Sequence, residues 1–98
     1  MIKHVVMYKL NDPGEENKRA LVDKFMSMKD KIPCLLSIES GVDLIKSERS
    51  YDVCLICTFK GLKELDEYRE HPVHIPVMNY VKSIVSKSHS VDYEVENE

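Results

Sequence analysis

Two segments of this chain are apolar on both sides of an extended strand, and that property limits the folds open to it more than any other. In residues 2–10, Ile2, His4, Val6, Tyr8 and Leu10 share one side and Lys3, Val5, Met7 and Lys9 the other, because successive strand side chains point to opposite faces. In residues 51–60, Val53, Leu55, Cys57 and Phe59 oppose Cys54 and Ile56. Strands with two apolar faces need cover above and below, which places them in the middle of a sheet. Residues 35–45 behave differently: Leu36, Ile38, Val42 and Leu44 alternate with Ser37, Glu39, Gly41 and Asp43, the pattern of a half-exposed edge strand. Residues 87–95 alternate His89, Val91, Tyr93 and Val95 with Ser88, Ser90, Asp92 and Glu94.

The intervening segments read as helices. Asn11-Asp12-Pro13-Gly14-Glu15 supplies start chemistry, with Asp12 as N-cap, Pro13 at the first helical position and Glu15 three residues after the cap. The helix runs on to Pro33, with Leu21, Phe25, Met28 and Ile32 buried and Lys18, Asp23, Lys24 and Lys31 solvated. Gly61 opens a second helix with Leu62, Leu65 and Tyr68 on one face, stopping near His71-Pro72. A further helical segment carries Val77, Met78, Val81 and Ile84, with Pro76 in its first turn.

Strand, helix, strand, strand, helix, strand is the ferredoxin-like βαββαβ order, an α+β fold with an antiparallel sheet whose first and third strands are central. Helices cover one face of such a sheet. Val5, Met7, Cys54 and Ile56 are left needing a second layer, and the simplest cover is a second copy of the same sheet related by a two-fold axis. A homodimer is therefore expected.

At 98 residues the chain makes one domain, 1–98. Its 43% apolar and 32% charged residues suit a folded protein, and a net charge of -3 with no basic stripe argues against nucleic acid. No apolar run approaches the ~20 residues that cross a bilayer, and the N-terminus lacks the pattern of a secretory leader, so no membrane partner is expected. Three cysteines, an odd number beside apolar segments, read as reduced thiols in a cytoplasmic protein. Cys54-Leu55-Ile56-Cys57 matches a redox or zinc spacing, but three residues along a strand the two sulfurs point to opposite faces.

Proton-transfer chemistry concentrates elsewhere. Tyr68-Arg69-Glu70-His71-Pro72-Val73-His74 packs two of the four histidines and a tyrosine into one turn region, and His4 interrupts the first strand. Histidine titrates near neutrality. His74 is a candidate general base for a proton alpha to a carbonyl, with Tyr68 and His4 hydrogen-bonding the developing oxyanion; His71 and Tyr8 are candidate binding residues. The competing reading makes His4 and His74 core histidines satisfied by backbone carbonyls and His71 a helix cap. His71 and His74 are three apart, but Pro72 breaks the helix that would align them, and no metal site is expected.

The opening Ile2-Lys3-His4-Val5-Val6-Met7-Tyr8-Lys9-Leu10, the Ile32-Pro33 pair, the Tyr51-Asp52-Val53 strand start, the Tyr68…His71-Pro72-Val73-His74 corner and the terminal Val91-Asp92-Tyr93-Glu94 together resemble the stress-responsive dimeric α/β-barrel (Dabb) family. The resemblance implies a homodimer in which two four-stranded sheets form a barrel with helices outside. It is also similar to a plant polyketide cyclase that closes a linear chain by aldol chemistry without metal or cofactor, using a strand histidine, a tyrosine and the second histidine of an H-P-x-H corner. The matching positions here are His4, Tyr68 and His74. The functional expectation is thus a stress-linked cytoplasmic protein binding a small molecule between sheet and helices, without cofactor. The alternatives are a cofactor-independent lyase or cyclase and, by fold analogy alone, a cofactor-free monooxygenase.

Overall fold

The computed structural model describes residues 1–96, so the last two positions of the expected 1–98 domain lie outside the described residues. Its elements are β1 (Ile2–Leu10), α1 (Glu15–Met26), β2 (Ser37–Val42), β3 (Val53–Phe59), α2 (Leu62–Glu70), α3 (His74–Ile84) and β4 (Val85–Glu94). The strands form one antiparallel sheet in the order β2-β3-β1-β4. The two strands with double apolar faces are the central pair, as their composition requires.

On the helical side, Val6, Tyr8 and Leu10 of β1 and Val53, Leu55, Cys57 and Phe59 of β3 pack against Leu21, Val22 and Phe25 of α1, Leu65 and Tyr68 of α2, and Val77 and Val81 of α3. Tyr8 leans on Phe25 with ring centres 5.1 Å apart. Among the described residues no helix lies over the other side of the sheet. There Val5 stands between Ile56 and Val91 in the strand register, and Met7 between Cys54 and His89. Met7 is 42% exposed, Tyr93 46% and Val91 56%, an apolar strip over central β1 and edge strand β4 of a bare sheet face.

Several local expectations are corrected. Helix α1 begins at Glu15, and its cap is Gly14, in extended conformation with no side-chain cap bond. Asp12 instead accepts the Gly14 N–H at 3.3 Å and, through its carbonyl, the Asn17 side-chain amide at 3.0 Å, closing a turn ahead of the helix as aspartate does two residues upstream of its partner. The helix stops at Met26, well before Pro33. The Ser27 hydroxyl donates to the Lys24 carbonyl at 2.6 Å, and tighter bonds from Met28 and Lys29 N–H to the Phe25 and Met26 carbonyls overwind the end. Met28 and Ile32 are nonetheless buried, carried inward by turns in which Asp30 takes a φ of 66°; their spacing reported burial without reporting helix.

Lys18, expected in solvent, is buried, its stem lying on the core while Nζ reaches Glu15 at 3.7 Å. Leu62 is 65% exposed at the first turn of α2, beyond the edge of the core. Strand β2 is shorter than the alternation implied, leaving Leu36, Leu44 and Ile45 exposed. Strand β4 starts two residues early because α3 runs directly into it, and the register slips between Lys9 and Leu10 to absorb the extra residue.

Candidate functional site

A cleft of about 760 Å3, open to solvent, lies between β1 and β4 of the sheet and helices α2 and α3. The period-two alternation of β1 delivers His4, Val6 and Tyr8 to its floor. Tyr68 reaches it from the buried face of α2, one turn after Leu65. His74 reaches it because Pro72 forbids continuation of α2: His71 turns extended (φ -68°, ψ 137°), and the chain restarts as helix at His74. The corner is braced by the His71 N–H on the Tyr68 carbonyl (3.1 Å), the Val73 N–H on His71 Nδ1 (3.1 Å) and the His74 N–H on the His71 carbonyl (2.9 Å).

Tyr68 is the centre of an aromatic stack. Its ring lies 4.2 Å from His74, 5.0 Å from Phe59 and 6.4 Å from His4, the last edge-on. His74 Nδ1 lies 3.1 Å from the Arg69 carbonyl; a carbonyl only accepts, so Nδ1 carries the proton and Nε2 is left as an acceptor. Burial lowers the His74 pKa, opposed by the Arg69 carbonyl contact and reinforced by the positive charges of His4, Arg69 and His71. Its place at the N-terminus of α3 acts in the same direction, since the helix dipole disfavours a cation there. The imidazole is therefore neutral at neutral pH and suited to take a proton.

Tyr68 is tuned the opposite way. Burial first, and then the neighbouring Cys57, raise its pKa, so it stays a protonated phenol. The Cys57 thiol, itself pushed up to about 12 by burial, donates toward the Tyr68 oxygen at 3.9 Å, which leaves the phenol proton free. Burial likewise raises Tyr8. His4 Nδ1 is hydrogen-bonded to the Asp92 carboxylate, its partner across the β1–β4 ladder. The cleft thus joins a neutral imidazole with a free acceptor nitrogen, a phenol with a free proton, and a second imidazole oriented by a carboxylate, a set able to accept and donate protons around one bound molecule.

Of the residues singled out in the sequence, His4, Tyr8, Tyr68 and His74 line the cleft. His71 sits at the C-terminal cap of α2, half-buried and outside the lining, with its ring turned back to Val73. The Cys54 and Cys57 side chains face opposite sides of the sheet, and among the described residues no three His, Cys, Asp or Glu stand together in metal-binding geometry. Sequence reasoning missed Asp92, Ser88 and Ser90. Their common signal was present: all three are polar residues on the side of the last strand that should face the helices.

The family model described as Stress responsive A/B Barrel Domain matches residues 2–95, and no curated protein matches. Among solved structures, a dimeric protein of unknown function and ferredoxin-like fold from Bacteroides fragilis is 26% identical, with a TM-score of 0.80 over 96% of this chain and 95% of that one. A dimeric ferredoxin-like protein of unknown function from Thermobifida fusca is 19% identical, with a TM-score of 0.84 over 96% and 90%. A hydroxynitrile lyase from Passiflora edulis has the same fold at 11% identity, with a TM-score of 0.82 over 99% and 94%.

Proposed function

The chain belongs to the stress responsive A/B barrel (Dabb) domain family, and on that premise we propose that it pairs with a second copy through its open sheet face and binds a small carbonyl-bearing molecule in the cleft of each subunit. Pairing is supported by the apolar strip of Val5, Met7, Ile56 and Val91 on the bare face, and by the dimeric state of the Bacteroides and Thermobifida neighbours. The observation that carries the ligand reading is that His4, Tyr68 and His74 line one open cleft, with His74 Nε2 making no hydrogen bond among the described residues. A filled site would have left those groups a packing role alone. Three free thiols, at Cys34, Cys54 and Cys57, support placement in a reducing compartment.

A second reading, turnover, is favoured by the opposite tuning of His74 and Tyr68. In it, His74 Nε2 removes a proton from the bound molecule while the Tyr68 hydroxyl donates to the oxygen on which negative charge grows. His4, held by Asp92, donates through Nε2 when protonated. A hydroxynitrile lyase from Passiflora edulis has this fold, and its low identity leaves the residues of this cleft to make the case.

Acetylacetone, whose α-hydrogens exchange measurably in D2O, tests both readings by proton NMR. Wild-type protein is expected to broaden the ligand's signals and accelerate exchange. Ser90→Trp, which fills the cleft from an exposed strand position, should abolish both effects, and His74→Ala should keep binding and lose exchange. Binding without exchange refutes turnover; neither binding nor exchange refutes the cleft as a carbonyl site.

A further inference from the structure

The charged groups around the cleft are one-sided. Among the described residues its lining contains Arg69 and Lys82 and no aspartate or glutamate. Lys82, on the exposed side of α3, makes no ion pair among the described residues, while Arg69 has only an exposed contact with Asp66 at 3.6 Å. The Asp92 carboxylate on β4 is already bonded to His4. Lys87 also borders the cleft, but its Nζ lies over the Tyr51 ring at 6.0 Å, on the other face of the sheet, and adds no charge here.

The β4 wall has the same bias. Ser88 and Ser90 stand opposite Tyr8 and Val6 on the helix-facing side, where an antiparallel strand packed on a core ordinarily carries apolar residues. Unlike Ser86, whose hydroxyl donates to the Lys9 carbonyl at 3.2 Å, neither makes a side-chain hydrogen bond among the described residues. Two cations and two uncommitted hydroxyls, with no free acceptor carboxylate, are donors waiting for an acceptor.

We infer that the molecule held in this cleft carries an anionic group, a carboxylate or a like oxyanion, bound by Lys82 and Arg69 with the Ser88 and Ser90 hydroxyls donating to it. The inference deepens the ligand reading above and rests on it. It divides the cleft in two, with the proton-transfer groups His74, Tyr68 and His4 at the buried end and an anion grip at the solvent end. Burial is the main cause that lowers the His74 pKa, and the positive charges of His4, Arg69 and His71 that add to it would also attract a negative ligand. A charge-assisted grip at the open end orients the ligand so that its neutral, reactive part enters first.

A matched pair of fluorescent probes isolates the charge: 8-anilinonaphthalene-1-sulfonate and N-phenyl-1-naphthylamine, which differ by one sulfonate. The sulfonate is expected to bind roughly ten-fold more tightly than the neutral amine, the size of one charge-assisted hydrogen bond. Lys82→Ala and the Ser88→Ala/Ser90→Ala pair should erase that preference without weakening the neutral probe, and Lys29→Ala, an equal loss of charge on a distant loop, should leave it intact. Added salt should weaken the sulfonate alone. Equal affinity for the two probes, or a preference that survives Lys82→Ala, overturns the anion grip and leaves the cleft standing. Failure of both probes to respond to Ser90→Trp overturns grip and cleft together.

Discussion

Replacing Met7 by aspartate should separate the two subunits. Met7 sits mid-face on β1, between Cys54 and His89 in the register. Together Met7, Val91 and Tyr93 (42%, 56% and 46% exposed) and half-buried Val5 and Ile56 present an apolar face to a partner. That face amounts to on the order of 300 Å2 per subunit, worth ~7 kcal/mol at about 25 cal/mol per Å2 and ~15 kcal/mol for the pair. Association costs about 4–15 kcal/mol in lost freedom, and a cost near the middle of that range leaves the pair a margin of about 5 kcal/mol. A two-fold axis introduces the aspartate twice, and each unpaired buried carboxylate costs several kcal/mol. The change exceeds the margin, and the dissociation constant should rise at least ~1000-fold. Sedimentation velocity at micromolar concentration reads the outcome, with Met7→Leu as a control that keeps volume and apolarity. Far-UV circular dichroism separates dissociation from unfolding. A Met7→Asp protein that sediments as a dimer, or a wild-type monomer, refutes the argument.

Other outcomes follow from the same geometry. His74 has a folded-state pKa below its ordinary 6.5, so the unfolded chain takes the proton first; stability should be full above that value and fall as pH drops through it. Thermal melts at several pH values should show this slope, and His74→Gln should flatten it; parallel slopes would refute the assignment. Asp92→Ala should cost about 1 kcal/mol, since the pair is partly exposed, and should slow proton exchange of acetylacetone while leaving its binding intact. An unchanged rate would make the Asp92–His4 contact purely structural. Phe25→Ala removes a ring that is 1% exposed and stacked on Tyr8, and should cost ~3–5 kcal/mol in urea unfolding; a loss below ~1 kcal/mol would mean that the cleft wall collapses to fill the space.

The parts of the fold legible in the sequence were those set by period. Alternation in residues 2–10 and 51–60 placed both central strands, their bare side and the inward direction of His4 and Tyr8. The proline between His71 and His74 was enough to bring Tyr68 and His74 to one corner. What could not be read depended on register or on competition between local bonds. Asp92 meets His4 only through the β1–β4 pairing, which slips at Lys9 because α3 enters β4 without a loop. Helix α1 ends where Ser27 bonds back to Lys24 and not where Pro33 would stop it. Lys18 is buried because its long stem is apolar, a property that a charge-based reading discards.

Strand β1 serves two masters along one backbone: its even-numbered side chains furnish the floor of the cleft and its odd-numbered ones the bare face. Substitutions at His4, Val6 or Tyr8 can therefore diverge freely of those at Val5 and Met7, so that the cleft can change while the bare face is kept. Insertion or deletion of one residue within the strand would exchange the two sets at a stroke. Such indels should be purged from β1 far more strictly than point changes.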